Sequence, residues 1–122
     1  MSELADKVES FIKKEFPLLK YLTEQTVTYR GQRLRFDFFI PEFKLYIEVQ
    51  GRQHTNFVSF FHKSLRSFRQ QKLRDEYKTA WCSEQGFVFF EVTYEELEAG
   101  LTSKEFRSKV LGAVQEFNKS GS

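Results

Sequence analysis

Residues 35–50, RFDFFIPEFKLYIEVQ, constrain the fold more than any other part of the chain. Two apolar runs, residues 36–40 and 45–50, flank Pro41-Glu42-Phe43-Lys44. β-Branched and aromatic residues on both sides of a short proline-containing turn predict a β-hairpin. With the turn centred between Glu42 and Phe43, Ile40 faces Leu45 and Asp37 faces Glu48. Alternation sends Tyr46, Glu48 and Gln50 to one face of the second strand and Leu45, Ile47 and Val49 to the other. Two carboxylates opposite each other inside apolar runs repel and lose solvation. A cation between them resolves that conflict. Hard divalent ions such as Mg²⁺ take one or two carboxylates and leave the remaining positions to water and phosphate. Gln50 points the same way as Glu48 and is placed to hold a water or a phosphate oxygen. A polar outer face is the simpler account of the two acids, but Phe39 and Tyr46 beside them argue against a wet surface.

The rest of the chain reads as elements around this hairpin. Leu4, Ala5, Val8, Phe11 and Ile12 recur at helical spacing, with Ser2 as N-cap and Pro17 as the stop. Residues 18–22 suggest a further turn, and residues 26–29 a first strand closed by Arg30-Gly31-Gln32. The stretch 57–85 is aromatic and basic. Its later part, with Leu73, Tyr77 and Trp81 at four-residue steps, predicts a helix ending at Gly86. Residues 87–92 form a strand with apolar residues on both faces, as in a sheet covered by helices. Thr102-Ser103-Lys104-Glu105 has the form of a capping box opening a last helix. Its Phe106, Val110, Leu111, Val114 and Phe117 share one face. The order is helix, three strands, helix, strand, helix. A helix between the third and fourth strands is the usual crossover to a parallel neighbour.

Bulk properties narrow the class. The 122 residues suggest one domain over residues 1–119 with a disordered tail at 120–122. The 15 phenylalanines, five tyrosines and single tryptophan are enough for an aromatic core. The single cysteine, Cys82, excludes an intramolecular disulfide and a cysteine-based zinc site, and reads as a core residue. No apolar stretch is long enough to span a bilayer, so a cytoplasmic, intracellular protein is expected. A net charge of +2 says little about partners, so the distribution of charge must decide. Arg52, Lys63, Arg66, Arg69 and Lys72 gather beside the carboxylate pair, a density that favours a phosphate-backbone footprint.

Asp37, ten intervening residues, then Glu48-Val49-Gln50 resembles the PD-(D/E)XK signature of the restriction-endonuclease-like superfamily. Gly51-Arg52-Gln53-His54, the helix containing QKLRDEYKTAWC, Gly86 and the apolar strand after it are similar to small nucleases related to very-short-patch-repair enzymes and some phage homing endonucleases. Phe36 stands at the signature's proline and Gln50 at its lysine. The resemblance implies an α/β fold with an αβββαβ core, here extended by a C-terminal helix. It also implies an endonuclease that hydrolyses DNA phosphodiester bonds with Mg²⁺, for which Mn²⁺ would substitute.

In that reading Asp37, Glu48 and the Val49 carbonyl hold the metal, and Gln50 orients the attacking water. His54 contacts phosphate or moves a proton near the metal. Relatives place a further acid on the first helix, for which Glu9 is the choice over Asp6. Asp75 pairs with Arg52 or a neighbouring lysine to brace the site. A homodimer would supply two active sites for two strands, and a phage or mobile-element setting fits the resemblance. The alternative is a nuclease-fold module that binds nucleic acid or a protein partner without cutting, which the glutamine at position 50 favours.

Overall fold

The computed structural model describes residues 2–50 and 65–120. Helix α1 (Glu3–Glu15) starts where the Ser2 side chain accepts from the Ala5 amide at 3.1 Å and stops just before Pro17. Strands β1 (Leu22–Tyr29) and β2 (Gln32–Ile40) form a long hairpin. A 3₁₀ turn at Pro41–Phe43, closed by Lys44 in the left-handed region at φ 50°, leads to β3 (Leu45–Gln50). Helix α2 (Leu65–Gln85) ends at Gly86, whose φ of 79° suits a residue without a Cβ. Strand β4 (Val88–Thr93), short helix α3 (Tyr94–Glu98) and helix α4 (Ser103–Ser120) complete the fold.

The four strands lie in chain order. The first three are antiparallel, and β4 is parallel to β3, as the helical crossover requires. This is the expected α/β architecture, a mixed sheet flanked by helices with a helix added at the C-terminus. Ile40 pairs with Leu45 and Phe38 with Ile47, the register read from the Pro41 turn.

The two sheet faces differ. One packs against α1, α3 and α4 through Val8, Ile12, Phe38, Ile40, Ile47, Val92, Phe106 and Val110. The other lies under α2, where Leu34, Phe36, Tyr46 and Cys82 are buried and Trp81, Phe87 and Phe89 close over them. Phe36 is the hub of that face, with ring centroids 4.5 Å from Tyr46 and 5.8 Å from Trp81.

Several local expectations need correction. Strand β1 begins at Leu22, not residue 26, because Leu22 and Thr23 still find partners in Phe39 and Phe38. Ser120 closes α4 and is not part of a tail, while Gly121 and Ser122 lie outside the described residues. Helix α2 forms as expected, and its Tyr77 and Trp81 pack against the buried cluster. Leu73 is exposed, and the buried positions are Lys78 and Cys82. The Thr102–Glu105 capping box forms as expected, and a second one, Thr93 with Glu96, opens α3. No described helix is long and apolar enough to cross a membrane.

Candidate active site

The site begins with an irregularity in β2. Leu34 and Phe36 face α2, whereas Phe38 and Ile40 face the opposite core, so the alternation turns over at Asp37. The β1–β2 ladder skips the Glu24–Asp37 position, and Glu24 has a left-handed φ of 52°. Asp37 therefore leaves the regular ladder. Its Oδ2 accepts the Val49 amide at 2.8 Å, supplying the acceptor that a continued β2 ladder would otherwise offer. This pins the end of β3 to β2 while the strands diverge. In the divergence lies a cleft of about 470 Å³ lined by Gln32, Arg33, Arg35, Asp37, Glu48, Val49, Arg74 and Lys78.

Glu48 sits deepest in this cleft, only 6% exposed. Burial is the main reason its carboxyl is pushed up to about 8. The Lys78 ammonium opposes that rise, and the neighbouring Asp37 carboxylate adds to it. Lys78 descends from α2 and donates to Glu48 Oε2, with its ammonium 5.8 Å from the centroid of the Phe36 ring. A buried acid shared between a cation and a second acid is held in an environment that a divalent ion would relieve. Two carboxylates, the rest of the shell left to water and phosphate, suit Mg²⁺. Among the described residues no third Asp, Glu, His or Cys joins the pair.

The other sequence candidates have separate fates. Gln50 does not line the cleft; its amide donates to Glu91 on β4, in register with Glu48 and on the same face. Glu9 does not line it either. Its carboxylate accepts from the Tyr21 hydroxyl at 2.8 Å, which with burial carries that phenol up to about 12. Arg66, Arg69 and Lys72 sit on the N-terminal half of α2, outside the cleft lining, with Lys72 also 5.7 Å from the Phe68 ring. Asp75 lies on the same helix, outside the lining. Arg52, His54 and Lys63 lie outside the described residues. Cys82 is buried as expected, and desolvation lifts its thiol to about 12.

Lys78 was expected only as the end of the basic run from Lys63, not beside the carboxylates. A signal was present. Lys78 stands one helical turn before Cys82, and residues four apart share a helix face. A cysteine expected in the core therefore drew the lysine before it inward. Arg74 belongs to the basic run expected to meet phosphate, whereas Arg33 and Arg35 were missed, because nothing in β2 alone reveals that its exposed positions border the carboxylates.

No family model matches the chain. It is 45% identical over 65 residues to the uncharacterized protein 094L of Frog virus 3 (isolate Goorha), a match covering 52% of this chain and 42% of that protein. It is 41% identical over 64 residues to the uncharacterized protein 033L of Invertebrate iridescent virus 3, covering 52% and 33%. A third match, 39% identical over 61 residues, is the uncharacterized protein 307L of Invertebrate iridescent virus 6, covering 50% and 31%. The similarity thus spans half of this chain and less than half of each viral relative. Among solved structures, the catalytic domain of the homing endonuclease I-Bth0305I superposes with a TM-score of 0.53 at 19% identity, covering 96% of this chain and 94% of that one. At that identity the likeness concerns the fold: the mixed sheet and its flanking helices are arranged as in a homing endonuclease catalytic domain.

Proposed function

We propose that this chain is a divalent-metal-dependent endonuclease of the PD-(D/E)XK type, hydrolysing DNA phosphodiester bonds. The observation that carries the reading is the convergence of Asp37, Glu48 and Lys78 in one cleft, from three different elements. The fold shared with a homing endonuclease catalytic domain supports it.

Asp37 and Glu48 would hold the ion, with the Val49 carbonyl as a third donor. A bound Mg²⁺ supplies Lewis acidity and lowers the pKa of a coordinated water. Lys78 takes the place of the lysine that the signature has at position 50. Its ammonium lies on Glu48, where it would serve the charge that develops on a phosphate. The lysine reaches the site from α2 across the Phe36 ring, so Gln50 is released to bind Glu91. The buried aromatic floor under Lys78 excludes water and strengthens these interactions. A homodimer, giving one site per strand, belongs to the same proposal.

A second reading draws on Gln50, whose amide is engaged with Glu91 and not turned into the cleft. It makes the chain a nuclease-fold module that binds without cutting. Calorimetric titration of Mn²⁺ into wild type and Asp37→Ala tests the metal half of the proposal. Binding by wild type that is lost in Asp37→Ala is the expected result; no binding by either removes the metal-dependent reading.

A further inference from the structure

Besides the two carboxylates, the cleft lining holds Arg33, Arg35, Arg74 and Lys78. Arg33 and Arg35 alternate with the buried Leu34 and Phe36 on β2, are exposed, and line the same cleft as Arg74 of α2. Two residues apart on a strand, they advance about 6.6 Å, a step comparable to that between neighbouring phosphates. Arg74 enters from α2, one helical turn before Lys78. Gln32, at the start of β2, continues the polar lining. The cleft thus carries four cations against two carboxylates, and Lys78 is the one that contacts Glu48.

These arginines have little else to do. Among the described residues, the ion pair they make is Arg35 with Glu24, at 3.5 Å, with side chains 64% and 49% exposed. Such a pair is weak and readily exchanged. Arginine is suited to phosphate because its planar fork donates two parallel hydrogen bonds.

We propose that Arg33, Arg35 and Arg74 form a phosphate-binding wall that holds the backbone of the strand being cut, on the flank of the bond placed at Asp37 and Glu48. The inference rests on the nuclease reading and deepens it. It adds the β1–β2 hairpin, through Arg33 and Arg35, to the backbone contacts expected from α2. Because the wall consists of side chains that touch neither carboxylate's metal-binding oxygens, it engages nucleic acid without metal.

The test is fluorescence anisotropy of a labelled DNA duplex in EDTA across a salt series. It compares wild type, the triple variant Arg33→Gln/Arg35→Gln/Arg74→Gln, and a control triple variant Lys7→Gln/Lys13→Gln/Lys104→Gln. Removing three contacts should shallow the slope of log K against log salt by roughly two to three units, close to 0.9 per phosphate contact. The control should keep the wild-type slope, and Mn²⁺ affinity by calorimetry should be unchanged in both. An unchanged slope in the arginine variant overturns the proposal, as does an equal change in the control, which would reflect net charge alone. Polyglutamate binding as tightly as DNA would also overturn it, in favour of an acidic peptide. Wild type that fails to bind DNA in EDTA yet cuts it with metal removes the wall and leaves the nuclease reading intact. Wild type that binds through the wall but never cuts does the reverse.

Discussion

The two faces of the sheet are built on different terms. Under α1, α3 and α4 the interior is aliphatic and aromatic, with no buried charge among the described residues, and Val8, Ile12, Phe38, Ile47, Phe106 and Val110 are fully enclosed. Under α2 the interior is an aromatic floor that ends in a buried acid and a buried lysine. A face without polar groups gains from every apolar contact, whereas a buried acid and lysine return little net stability for their desolvation. The difference teaches that apolar packing and the buried titratable pair lie on opposite sides of one sheet. β3 belongs to both, sending Ile47 one way and Glu48 the other.

That division can be broken from the chemical side first, where the largest effect is expected. Glu48→Gln should abolish metal-dependent cleavage and divalent-ion binding. Its metal-free melting temperature at pH 7 should stay level or rise, because an amide mimics the protonated acid that burial and Asp37 already favour. A large fall in melting temperature would make Glu48 a structural residue.

Breaking the other face should do the opposite. Phe106 is fully buried against Phe11 and Phe90, with ring centroids 5.5 and 6.2 Å away. Phe106→Ala should cost about 3–5 kcal/mol in denaturant unfolding, while the folded fraction keeps wild-type Mn²⁺ affinity. A changed affinity would show that the two faces are coupled.

A smaller effect sharpens the comparison through pH. Glu48 has its folded pKa raised from 4.5 to about 8, so the native state holds a proton that the unfolded chain releases. Its contribution to metal-free stability is fully present below about pH 4.5 and is lost as pH rises towards 8. Chemical denaturation between pH 5 and 8.5 (roughly the window set by those two values) should show this slope in wild type and a shallower one in Glu48→Gln. The same proton must leave before a divalent ion binds, so Mn²⁺ affinity should climb with pH over that window. A flat affinity would mean that Glu48 is already ionised.

How much of this was legible in the sequence depended on whether a feature is local. The hairpin register could be read because Pro41 and Lys44 fix the turn, and one residue of slippage would have sent Ile47 out of the core. The caps at Ser2 and Thr102 were readable for the same reason, as short patterns with their own hydrogen bonds. Thr93-Tyr94-Glu95-Glu96 has the same form and was passed over because the helix it opens is only five residues long. Lys78 was hidden by a different cause. Periodicity treats a charged residue as facing solvent, and only the packing of α2 over Phe36 shows that its inward stripe passes through Lys78 and Cys82. The overturn of β2 at Asp37 was likewise invisible, since strict alternation carries no signal for where a ladder gives way.

The central claim is that a cation from α2, not the residue at position 50, completes the carboxylate site. The most direct test is cleavage of supercoiled plasmid in Mg²⁺, with an EDTA control, by wild type, Lys78→Met and Gln50→Ala side by side. The account predicts cutting by wild type in Mg²⁺ alone and a rate roughly 100- to 1000-fold lower for Lys78→Met, the loss typical of one preorganised charge. Gln50→Ala should stay within about tenfold of wild type, well short of that loss. No cutting by wild type, or Lys78→Met cutting at the wild-type rate while Gln50→Ala fails, would contradict it.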